Sequence, residues 1–171
     1  TQPVQDSVGA LADFTFPLDL RMKQTSTAAG SEARAVVVAA QEGSDGAIEE
    51  LIGLCWGRAH RVAYLILQDR AEAEDVAQET MLALVDHLHA LDPRRPPEPW
   101  VARVAANRAI DLVRVRRPTE ELPAEPVAPG GPTSGGPVTA ALAELPAEDR
   151  VLIVLRHLLG FRSAEIGDQL G

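Results

Sequence analysis

Cysteine, lysine and aromatic residues are all scarce in this chain, and each shortage excludes something. Cys55 is the only cysteine among 171 residues, so no disulfide can form within the chain and nothing in its thiols points to secretion. Aromatic residues make up 4% of the chain against 46% apolar residues. Alanine, leucine, valine and isoleucine must therefore fill the interior, which favours packed helices over a β-sandwich. There is no apolar run of about 18 residues and no signal-peptide pattern at the start, so the chain reads as cytosolic and not membrane-inserted. Lys23 is the single lysine, and arginine supplies nearly all the positive charge. A phosphate-binding loop, Cys/His pairs at metal spacing and a Ser-His-Asp set are also missing, so no catalytic residue, cofactor or metal is expected. His87 and His89 stand two apart, and on a helix they point about 160° from each other, which does not suit a shared metal.

What is present is an uneven distribution of charge. The formal net charge is −9, which by itself opposes nucleic-acid binding. From Arg94 to Arg117, however, seven arginines face only Glu98 and Asp111, a local +5 that leaves −14 for the remainder. A basic island in an acidic protein suits a DNA contact made with the help of a partner.

Residues 1–43 read as an N-terminal arm, extended or flexible. Phe14, Phe16, Leu18, Leu20 and Met22 alternate with Thr15, Pro17, Asp19 and Arg21 as in an edge strand or a docked peptide, and 24–30 reads as loop or disorder. A helix is expected over about 45–68, capped by Ser44 or Asp45, with Ile48, Leu51, Ile52, Cys55, Ala59, Val62, Ala63 and Ile66 on one face. A second is expected over about 71–91, its apolar line running through Ala73, Val76 or Ala77, Met81, Leu84, Val85, Leu88 and Leu91. On another side of it Glu72, Asp75, Gln78 and Glu79 form a continuous acidic-polar stripe, which suits either a binding face or a solvated one.

Four prolines between Asp92 and Pro99 forbid a continuous helix and predict a stiff loop. A third helix follows over about 100–116. Trp100, Arg103, Asn107, Arg114 and Arg117 fall within about 100° of arc, with Val101, Ala105, Ala109, Leu112 and Val113 largely opposite. Ile110 interrupts the polar stripe. Arginines can meet phosphates and base edges, an asparagine amide can donate and accept, and an indole can stack on an unpaired base. The flanking Arg94, Arg95, Arg116 and Arg117 favour nucleic acid over a merely solvated face. The acidic and basic faces are expected back to back on one small domain.

Residues 118–137 hold six prolines and four glycines, the composition of a linker. Beyond it a short helix from Val138 to Leu145 and a second opened by Pro146 and closed by Gly160 lead to a third, with Ser163 as its cap and Glu165 nearby. This order reads as the first part of a helix-turn-helix, with Ser163, Glu165, Ile166, Gln169 and Gly171 in place and the recognition helix expected after Gly171. The fold class is all-α: two small helical domains, 44–117 and 138–171, joined by the linker 118–137.

These motifs resemble one family. The stretch AEAEDVAQETMLALVDHLHALDPRRPPEPWVARVAANRAIDLVRVRRP resembles region 2 of the extracytoplasmic-function, group IV, bacterial sigma factors. ALAELPAEDRVLIVLRHLLGFRSAEIGDQLG resembles their region 4. EDVAQET, the W-x-x-R-x-x-x-N-x-x-x-D spacing and the C-terminal block stand in the family's order, over roughly residues 46–171. The resemblance implies a promoter-specificity subunit of RNA polymerase with no catalysis of its own. It implies that Glu72, Asp75, Gln78 and Glu79 contact the clamp coiled coil of the polymerase β′ subunit. Arg94, Arg95, Trp100, Arg103, Asn107, Arg114 and Arg117 would recognise and open the −10 promoter element. The linker would thread toward the RNA exit path, and region 4 would meet the β flap and read the −35 element. An anti-sigma protein is a further partner the family implies. The run Pro96-Pro97-Glu98-Pro99 departs from the family in being richer in proline and less aromatic. Ending at Gly171, the chain is expected to read a −35 element poorly. Two rival readings are a helix-turn-helix repressor that binds duplex DNA unaided, and a helical interaction module with no DNA role.

Overall fold

A computed structural model describes residues 27–116 and 137–170, with side chains over 32–116 and 137–167. The expected edge strand at 14–22, nearly all of the linker, Arg117 and Gly171 lie outside the described residues, as does the side chain of Gln169. Among the described residues every regular element is a helix. The elements are α1 (Thr27–Gln41), α2 (Asp45–Leu67), α3 (Arg70–Asp86), a 3-10 turn (Leu88–Ala90), α4 (Glu98–Val115), α5 (Pro137–Ala143), α6 (Ala147–Ile153) and α7 (Ser163–Leu170).

The longest helix, α2, is the one the others pack on: α1, α3, α4 and α6 all lie against it. Its 23 residues span about 35 Å. Leu51, Cys55, Ala59, Val62, Ala63 and Ile66 are buried along it as expected, whereas Ile48 and Ile52 are only half-buried at the margin. Each fully buried aliphatic side chain of the size of Leu51, Ile66 or Leu84 contributes about 2 kcal/mol of transfer free energy. Two residues turn the chain from α2 into α3. Gln68 adopts the left-handed conformation (φ 56°) and donates its N–H to the Tyr64 carbonyl, and the Asp69 carboxylate caps α3 by accepting from the Glu72 N–H at 3.0 Å. Inside α3 the buried Thr80 hydroxyl donates to the Val76 carbonyl at 2.7 Å, so its burial leaves no unsatisfied donor.

The structure differs from the sequence reading at several points. Residues 27–41, expected as part of an extended or flexible arm, form α1, which buries Val36, Val37 and Ala40 against α2. Gly43 (φ 88°) ends it in a Schellman turn, with the Ser44 N–H on the Ala39 carbonyl and the Gly43 N–H on Ala40. The second expected helix stops at Asp86 instead of Leu91. Its end is held elsewhere: Gln41 Nε2 donates to the carbonyls of Leu88 and Leu91, both at 2.9 Å, and Pro93 disfavours helix at Asp92. Val85 and Leu112, placed on buried faces, are exposed, and Ile110, placed in the polar stripe, is fully buried. The reason is that α4 is covered on two sides. Val101, Ala105 and Ala109 form one buried line, and Ala102, Ala106 and Ile110 form a second beside it.

The C-terminal helices close onto the same core. Leu142, Val151, Val154, Leu155, Leu159, Phe161 and Ile166 are buried and continuous with the apolar cluster of α1 to α4. After α6 the backbone widens into a π turn over Val154–Leu158, with the Leu159 N–H reaching the Val154 carbonyl at 3.1 Å. Arg150 ties the halves together, donating Nε to the Ile66 carbonyl at 2.9 Å and Nη1 to Leu145 at 2.7 Å. It thereby satisfies one of the free carbonyls at the end of α2. Ser163, expected as the cap of the last helix, lies inside its first turn. Glu165 Oε2 accepts the N–H of Arg162 at 2.6 Å, which places the cap on Arg162.

Candidate nucleic-acid interface

The acidic stripe and the basic face meet at a shared edge and are not back to back. Because α3 and α4 both pack on α2, their outer rows lie side by side. Arg108 Nη1 pairs with Glu79 Oε2 at 2.5 Å, and Arg116 pairs with Glu72. Glu72 is half-buried, with Oε2 buried and lacking a hydrogen-bond partner, while Asp75 and Gln78 stand exposed between the two pairs. Half of the stripe is thus tied to α4 and half faces solvent. Next to Gln78 and Glu79, Leu82 is 67% exposed and Val85 follows it. The sequence reading passed over Leu82. Its signal was an apolar residue on the solvent side of a helix whose other apolar residues already complete the core.

The basic candidates fall into three settings. Arg94 and Arg95 are exposed on the loop before α4, which Asp92 organises: its carboxylate accepts the Arg94 N–H at 2.9 Å and lies 3.5 Å from Arg95 Nε. Pro97 precedes α4 and Pro99 sits in its first turn, where neither loses a needed donor; the first helical bond runs from the Val101 N–H to the Pro97 carbonyl. Trp100 is half-buried and packs on the core, with the His87 imidazole stacked on its indole at 4.9 Å and 3° between planes. Arg103 is half-buried. Its guanidinium lies over the Phe161 ring, 4.5 Å from the centroid, and burial lowers its pKa, an effect partly opposed by the nearby charge of Glu165. Asn107 is half-buried, and Arg114 is exposed, 3.7 Å from Asp111.

Of the C-terminal residues singled out from the sequence, Ile166 is buried, Glu165 is half-buried at the cap and Ser163 is exposed. The structure therefore brings Trp100, Arg103, Asn107 and Arg114 onto one helix and adds Arg108 at the acidic edge. It also sets the C-terminal segment against Arg103, a contact that sequence spacing does not reveal. Among the described residues no group of three or more His, Cys, Asp or Glu side chains is placed to hold a metal, and no helix is long and apolar enough to cross a membrane.

Comparison with known proteins gives this arrangement a family. Residues 51–119 match the Sigma-70 region 2 family. The chain is 25% identical over 150 residues to the ECF RNA polymerase sigma factor SigW of Bacillus subtilis (strain 168), covering 76% of this chain and 80% of that protein. To the ECF RNA polymerase sigma factor SigL of Mycobacterium tuberculosis it is 32% identical over 123 residues, 65% of this chain and 69% of the relative. To the ECF RNA polymerase sigma factor SigE of Mycolicibacterium smegmatis it is 30% identical over 136 residues, 72% of this chain and 52% of that longer protein.

Proposed function

Because the chain belongs to the extracytoplasmic-function family of RNA polymerase sigma factors, regulatory subunits of transcription initiation, we propose that its two charged faces divide promoter opening between them. The exposed part of α3, Asp75 and Gln78 with Leu82 beside them, docks on the β′ clamp coiled coil of core polymerase, flanked by Glu72 and Glu79. The loop and outer face of α4, with Arg94, Arg95, Trp100, Arg103, Asn107 and Arg114, engage and open the −10 element, and Arg117 joins them in that role. Arg94 and Arg95 meet DNA first, since they are exposed, and Arg103 becomes available only when Phe161 leaves its guanidinium. The C-terminal helices supply the beginning of a −35 reader that meets the β flap. The protein works in the cytoplasm and is held in check by an anti-sigma partner.

The observation that carries this reading is the adjacency of the two faces on one core, with Asp75 and Gln78 exposed between two ion pairs that lead to α4. Charge supports the division of labour. A net −9 disfavours phosphate neutralisation by the free protein, so the local +5 acts only once polymerase has placed it on DNA. Titration of core polymerase with the double variant Asp75→Arg, Gln78→Arg tests it. Affinity should fall by at least about tenfold, as for the loss of a central charged contact. Unchanged affinity would remove α3 from the polymerase interface.

A further inference from the structure

His87 and Trp100 stand at the two ends of the proline-rich connection between α3 and α4. His87 is the last-turn cap of α3 (φ −91°, ψ 1°), fixed by its own N–H on the Ala83 carbonyl at 3.0 Å and by the Ala90 N–H on its carbonyl at 2.9 Å. Trp100 is the third residue of α4. Their rings lie 4.9 Å apart and within 3° of parallel, so the stack closes the base of the loop that carries Arg94 and Arg95. Gln41 holds the near end of that loop from α1, through the carbonyls of Leu88 and Leu91. An indole so covered cannot turn freely about its side-chain torsions. Its orientation, and that of the start of α4, is set before any ligand arrives.

We propose that His87 is a positioning residue for promoter engagement: its imidazole, stacked flat on Trp100, holds the indole and the mouth of the Arg94–Arg95 loop in the orientation that receives the −10 strand. This rests on the DNA role proposed above for α4. The physical ground is preorganisation. A binding group already ordered in the free protein loses less freedom on association, and near-parallel aromatic pairs resist reorientation. A lone histidine at a helix end is otherwise a surface residue, but here both its backbone and its ring are committed.

The test uses the full chain with core polymerase and a single-stranded −10 oligonucleotide, comparing His87→Ala, His87→Gln and His87→Phe. Removing the ring should weaken oligonucleotide binding about fivefold while core affinity stays at the parent value. His87→Gln, which keeps polar capacity without a ring, should behave like His87→Ala, and His87→Phe should restore binding. In a Trp56→Phe background, Trp100 fluorescence should rise in the Ala and Gln variants. The inference is overturned if His87→Ala binds the oligonucleotide like the parent, or if His87→Phe is as weak as His87→Ala. Should His87→Ala fold poorly, the Gln and Phe variants alone decide it by the same contrast. Trp100→Ala separates the two layers. If it too leaves oligonucleotide binding unchanged, the DNA role of this face fails, and the inference with it; if it weakens binding while the His87 variants do not, only the positioning role fails.

Discussion

The contact between Arg103 and Phe161 joins the C-terminal segment to the helix that carries the basic face, and its strength can be isolated. Phe161 is 6% exposed, and its ring lies under a guanidinium at 4.5 Å from the centroid. Replacing it with leucine keeps most of the apolar volume, so repacking costs less than about 1.5 kcal/mol. Losing the cation–π contact adds about 1 kcal/mol, between the exposed and the desolvated limits, because Arg103 is half-buried. The single variant Phe161→Leu should therefore lose about 2 kcal/mol, or about 1 M in the urea midpoint at a slope near 2 kcal/mol per M. Arg103→Gln removes the cation but keeps part of the stem. In urea unfolding of the parent, both single variants and the double variant, the coupling should be about 1 kcal/mol, well above the scatter of independent sites. A coupling within about 0.3 kcal/mol of zero would show that the ring and the guanidinium are merely neighbours.

Two other perturbations have signs that follow from the same packing. Gly53 and Gly57 lie on the exposed side of α2, and an added Cβ at either meets nothing within 4 Å, so Gly53→Ala and Gly57→Ala should each stabilise the fold by about 0.5–1 kcal/mol in urea unfolding. Cys55 is fully buried, and burial, followed by the charge of Glu98, pushes its pKa from 9.0 up to about 12. The folded state keeps the thiol proton that the unfolded state releases above pH 9. The Cys55 contribution is therefore complete below pH 9 and is lost between pH 9 and about 12, at up to about 1.4 kcal/mol per pH unit. Cys55→Ala should flatten that part of the stability–pH curve, and an unchanged slope would show that the loss at high pH arises elsewhere.

Much of the fold was legible because helical period and burial agree along most of α2 and over α3 as far as Leu84. Leu51, Cys55, Ala59, Val62 and Ile66 lie on one face in both the pattern and the structure. Legibility failed where tertiary partners decide. The segment 27–41 has a run of three valines and several small residues, which locally suits strand or loop, and becomes a helix because Val36, Val37 and Ala40 find a groove on α2. Ile110 looked like a flaw in a polar stripe because the stripe was drawn for a helix buried on one side, and α4 is buried on two. The acidic and basic faces were each readable from one helix, but their ion pairs, Glu79 with Arg108 and Glu72 with Arg116, cross between helices and have no sequence spacing to announce them. The same holds for His87 on Trp100 and Phe161 under Arg103.

In the function proposed above, polymerase docking and promoter opening reside on adjacent but separable faces. Permanganate reactivity of −10 thymines, measured with core polymerase on a duplex promoter, separates the two when paired with a core-binding titration for the Arg94→Ala, Arg95→Ala variant. Core binding should stay at the parent level, with thymine reactivity reduced by about tenfold or more. Full reactivity in that variant, or a matching loss of core affinity, would refute the separation of the two faces.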